Sequence, residues 1–139
     1  MKKIEKNNKL RAIVHKIDEW KEGLDFLTPD ETYIQAGTWY YNKGKNLRAH
    51  WHIDNERLAV LTQETVYMVS GSMRVDLYDE DKNLFHQEIL SQGDTMVILE
   101  GGHGYEILED NTKVLEVKNG PFVSVEKDKA FIYSSEVGK

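Results

Sequence analysis

A chain of 139 residues, 40% hydrophobic and 30% charged, has the size of one compact domain and can bury a core. Acidic residues outnumber basic ones 24 to 18, and the basic ones are scattered, so a phosphate backbone would meet no concentrated counter-charge and nucleic acid is not an expected partner. The absence of cysteine excludes disulfides, thiolate catalysis and Cys-type zinc sites, leaving His, carboxylate, amide or water as the only ligands for a metal.

In chain order, residues 1–10 are polar and lysine-rich and are expected to form a flexible start to a single domain over 11–139. They lack the apolar core of a signal peptide, and no apolar run reaches membrane-spanning length, so a cytoplasmic protein that meets no membrane is expected. Residues 18–27 suit a short helical turn, and Thr28-Pro29-Asp30-Glu31 carries turn chemistry. A strand is expected over 32–41, where aromatic and β-branched residues concentrate, and a turn over 42–46. Residues 47–53 read as the next strand, followed by strands over 64–69 and 72–78 joined at Ser70-Gly71.

Further strands are expected over 84–90, 95–99, 105–108 and 113–117, separated by Gln92-Gly93-Asp94, Gly101-Gly102, Glu109-Asp110-Asn111 and Asn119-Gly120-Pro121. Short strands at even spacing, without a long 3.6-residue apolar period or an internal repeat, point to an all-β sandwich or barrel, with a closed double-sheet barrel as the expectation.

Three of the five histidines sit in two places, the pair His50-Trp51-His52 and His103 within Gly101-Gly102-His103-Gly104. Two imidazoles two residues apart on a strand share a face, as a divalent first-row metal would require of its nitrogen donors. Glu64 opens the strand that would lie beside them, and the glycines around His103 allow a tight backbone turn near the same point. Each residue alone has a plainer reading, as a surface His pair, a solvated strand end and a turn histidine.

The stretch from His50 to Gly71 resembles the first cupin motif, in which His-x-His precedes a glutamate and then, after six residues, a glycine, the interval found between Glu64 and Gly71. Gly93-Asp94 followed by His103 resembles the second cupin motif. Residues 101–106 and 116–121 are also similar to small single-domain bacterial cupins of largely unassigned activity. The resemblance implies a jelly-roll barrel, a homodimer, and one manganese, iron, nickel, cobalt or zinc ion per chain held by His50, His52, Glu64 and His103. The eleven residues between His52 and Glu64 are more than the motif usually has, which leaves Gln63 and Glu56 as alternative oxygen donors. His103 also lies one residue closer to its glycine than usual, without the family's proline.

Tyr105, Glu106 and Glu116 are the expected proton-transfer groups, with packing as the alternative for Tyr105. Glu116 and Lys118 share one strand face, pointing inward together or lying exposed with Leu115 and Val117 inward. Trp51 would point away from the histidine face to pack on a second sheet or subunit. These features favour an enzyme acting on a small oxygenated molecule such as a sugar derivative, by isomerase, epimerase or lyase chemistry, or a dioxygenase if the metal is iron. The competing reading is a non-catalytic module that binds a carbohydrate or other small ligand.

Overall fold

A computed structural model describes residues 1–132; positions 133–139 of the expected domain lie outside them. The described chain is all-β with antiparallel pairing and one short helix, α1 (Val125–Asp128). No helix among the described residues is long and apolar enough to cross a membrane.

The first ten residues, expected to be flexible, form a hairpin of β1 (Lys2–Lys6) and the start of β2 (Lys9–His15). The turn consists of Asn7 and Asn8, both with positive φ (54° and 58°), the two-residue connection whose twist matches a hairpin and which asparagine tolerates. Ile4, buried among lysines and a glutamate, anchors β1 to the core.

β1 and β2 begin a five-stranded sheet in the order β1-β2-β8-β5-β10, completed by β8 (Thr95–Ile98), β5 (Glu64–Ser70) and β10 (Lys113–Lys118). Facing it is a three-stranded sheet in the order β7-β6-β9, of β7 (Leu84–Ser91), β6 (Ser72–Tyr78) and β9 (Gly102–Ile107). The chain passes between sheets at Gly71, whose φ is +75° and where an added Cβ would lie 2.2 Å from Thr112 Oγ1, so only glycine fits. The core between the sheets contains Ala12, Val14, Val66, Met68 and Met96 from one side and Met73, Val75, Leu77 and Leu90 from the other. No ladder joins the two sheets among the described residues, so the expected closed barrel is replaced by an open sandwich of unequal sheets.

Further expectations meet the structure elsewhere in the chain. Residues 18–27, expected to make a short helical turn, begin with a 3₁₀ turn (Ile17–Glu19) and continue into a strand, β3 (Gly23–Phe26). Of residues 32–41 only β4 (Gly37–Tyr40) is a strand, paired with β3 in a separate two-stranded sheet, while residues 33–36 follow Gln63, whose Oε1 accepts the amides of Tyr33 (2.9 Å) and Ile34 (3.1 Å). Residues 47–53 are not a strand, because 41–63 run without helix or strand. Alternation would put Leu47, Ala49, Trp51 and Ile53 on one apolar face, but all four are exposed, so no neighbouring sheet buries that face and pairing is not driven there. Trp51, expected to pack, is 88% exposed.

The glycine-acid turn has a structural role. Gly93 donates its amide to Met68 O (2.8 Å), and the Asp94 carboxylate accepts from the amides of Ser91 (2.9 Å) and Ile17 (3.1 Å) and from Lys16 Nζ (2.9 Å). Burial opposes ionisation of Asp94, but the Ser91 amide, Lys16 and the Ile17 amide outweigh it and hold the carboxyl below its ordinary value. Its stabilising contribution is therefore full above the ordinary Asp value of about 4 and lost as pH falls through the lower, folded value. Asp94→Asn should destabilise the protein by about 1–3 kcal/mol at neutral pH, since the Ser91 amide would face an NH₂ group. The variant should also lose part of the acid sensitivity of wild type when urea midpoints are compared from neutral pH to about pH 2.5. Unchanged acid sensitivity would assign that linkage to other carboxylates.

Candidate functional site

Residues paired across an antiparallel ladder point to the same side. On β5, Val66 and Met68 face the core, and so does Glu64; on β10, Lys118 is paired with Glu64 and Glu116 with Val66. On β9, His103 is paired with Leu77 and Tyr105 with Val75, both core residues. The two sheets therefore direct Glu64, Glu116 and Lys118 from one side and His103 and Tyr105 from the other into the open end of the sandwich. A cavity of about 990 Å³ lies there, with Glu64, His103, Tyr105 and Lys118 in its wall beside the apolar Leu61, Leu99 and Phe131.

Glu64 is the centre of this group. Its side chain is only 6% exposed, and its Oε1 lies 3.0 Å from His103 Nε2 and accepts a hydrogen bond from the Tyr105 hydroxyl. The rings of His103 and Tyr105 are 5.4 Å apart. Burial pushes the Glu64 carboxyl up, but the hydrogen bonds from His103 and Tyr105, with the charge of Lys118, bring it below the ordinary value, so it is ionised at neutral pH. Burial and the Glu64 carboxylate drive the Tyr105 phenol well above its ordinary value, so it remains a proton-bearing donor. Lys118 Nζ lies 3.4 Å from Glu116 and 5.9 Å from the Phe122 ring centroid.

Of the four residues singled out as metal ligands, the fold brings Glu64 and His103 together. His50 and His52 lie in the exposed irregular segment, with ring centroids 5.2 Å apart and His50 Nδ1 3.1 Å from Arg48 O, and neither lines the cavity. Among the described residues no group of three or more His, Cys, Asp or Glu is placed to hold a metal ion. Gln63 spends its amide oxygen on Tyr33 and Ile34, and Glu56 is exposed in the irregular segment. Tyr105 and Glu116 are on the cavity side, but Glu106 faces the opposite side of β9 and pairs with Arg74 (2.7 Å).

Sequence reasoning placed Lys118 on one strand face with Glu116, either inside beside the metal or exposed; its pairing opposite Glu64 follows from the register of β5 and β10. It missed the cavity wall formed by residues 119–132, where Lys127, Phe131 and Ile132 line the space and Thr62 lies 3.4 Å from Asp128, because nothing in the pattern of that stretch marks it as part of a site. The sequence matches no family model, and no match is found among curated proteins or solved structures.

Removing its donors should leave burial to dominate at Glu64. In chelator-treated protein carrying His103→Ala and Tyr105→Phe, the Glu64 carboxyl should titrate above the ordinary carboxylate range, as followed by carbon-detected NMR. A Glu64 titration unchanged from wild type would show that these contacts do not set its ionisation.

Proposed function

We propose that this chain is a cupin-type enzyme that binds a small oxygenated molecule, such as a sugar derivative, between its sheets and moves a proton on it through Glu64. The observation that carries this reading is the Glu64 carboxylate, nearly buried in a cavity wall and held ionised by His103, Tyr105 and Lys118. A carboxylate in that state accepts a proton, and its Oε2 retains acceptor capacity when Oε1 is occupied. A substrate carbon next to a carbonyl would lose its proton to Glu64 Oε2, while the charge of Lys118 stabilises the carbonyl oxygen and Tyr105, its one hydroxyl proton on Glu64 Oε1, holds the carboxylate in place. Return of the proton to the same or the neighbouring carbon gives epimerisation or isomerisation, and loss of a β-substituent gives a lyase.

A divalent metal at the same place is a second reading, supported by the 3.0 Å separation of Glu64 Oε1 and His103 Nε2, which suits two donors on one ion as well as a hydrogen bond. It requires residues 41–63 to carry His50 and His52 to the cavity.

Two measurements separate these readings. Metal content of tag-free protein, purified without chelator, should reach about one ion per chain and fall in both His50→Ala and His103→Ala if the metal reading holds. If no metal binds even after reconstitution, wild type should still exchange C–H protons of a panel of aldoses and ketoses with deuterated water, and Glu64→Gln should slow that exchange by about 10²–10⁴-fold. Exchange unaffected by Glu64→Gln would remove Glu64 as the base, and saturable binding without exchange would leave a non-catalytic sugar-binding module.

A further inference from the structure

The five-stranded sheet has a second face, directed away from the sandwich core. The pairs His15↔Thr95, Thr95↔Tyr67, Thr65↔Val97 and Thr65↔Val117 all point to that side. Part of it is covered where Ile34 and Ala36 pack on Ile13, Val97 and Leu99. Beside this small core is a cavity of about 360 Å³, with Trp20, Leu27, Tyr67 and Val117 as apolar wall and Thr38 and Thr65 as polar wall. Among the described residues that line it, none carries a charged side chain.

The polar groups here are unusual in having nothing to bond. Thr38 is only 5% exposed, and neither Thr38 Oγ1 nor Thr65 Oγ1 meets a hydrogen-bond partner among the described residues. His15, paired with Thr95 and edge-on to Trp20 at 6.1 Å, is 1% exposed with neither ring nitrogen partnered among them. Four of the six buried side-chain polar atoms without a partner among the described residues thus belong to this one face. Buried hydroxyls are normally satisfied, and two around one cavity mark where the polar group of a bound molecule would sit.

We propose that this cavity is a second binding site, separate from that at Glu64, for a small uncharged molecule with an aromatic or cyclic body and one hydroxyl or amide group. The volume is in the lower part of the range of small-molecule pockets, about 300–1,000 Å³. Trp20 and Tyr67 supply flat apolar surface for a ring, and the threonine hydroxyls can each donate and accept. The absence of lining charge excludes ionic recognition, and burial, together with the N-terminal ammonium, lowers the affinity of His15 for a proton and keeps the face uncharged.

The test uses the full chain with phenol and toluene as matched probes, followed by amide NMR. Phenol should shift Thr38, Thr65, Thr95 and the Trp20 indole signal saturably, and toluene should bind about three- to tenfold more weakly for want of one hydrogen bond. Thr65→Val should weaken phenol and leave toluene unchanged, with a thermal midpoint at or above that of wild type, because the hydroxyl removed meets no partner among the described residues. Any of four results overturns the proposal: no saturable shift, equal binding of the two probes, a lowered midpoint in Thr65→Val, or shifts centred on His103 and Tyr105 instead.

Discussion

Two stacked sheets exclude water from the space between them only where both are present, and here five strands face three. The shared layer of Ile4, Val14, Val66, Met68, Met73, Val75 and Met96 holds the molecule together. At the edge, where β10 and the start of β5 face only β9, the apolar layer ends and ionisable groups take its place. Glu64 stands at that boundary, on the same strand face as Val66 and Met68 but with polar neighbours across the gap. The candidate site thus follows from the mismatch between the sheets.

A carboxylate at such a boundary is held by opposing effects. Desolvation favours its neutral form, and the two donors on Oε1 together with Lys118 favour the ion. The ionised state therefore depends on side chains from both sheets, which ties the chemistry of Glu64 to the packing of the sandwich. Asp94 uses the same balance for a structural purpose: its donors are the Ser91 amide of its own turn and, from the segment after β2, the Ile17 amide and Lys16, so its ionisation ties the β7–β8 turn to the end of β2.

The two faces of the wide sheet differ in kind. The inner face ends in charge, where a substrate oxygen or an ion would be recognised electrostatically. The outer face, beside Thr38 and Thr65, offers hydroxyls and aromatic surface without charge. Alternation along β5 places Glu64 on one side and Thr65 on the other, so consecutive residues serve different cavities.

The sequence determined the all-β class and the strands from residue 64 onward to within a few positions, and it singled out Glu64, His103 and Tyr105, which the fold brings together, because period-two patterning and glycine turns are local signals. The Asn7-Asn8 hairpin was equally legible in principle, since two left-handed residues between alternating segments define such a turn, but the density of lysines obscured it. Only the tertiary structure decided that the sheets stay open, that residues 41–63 lack a strand, and that Glu106 turns outward while Lys118 meets Glu64. Each of these depends on register and on which edges find partners, relations between distant segments that no local pattern encodes.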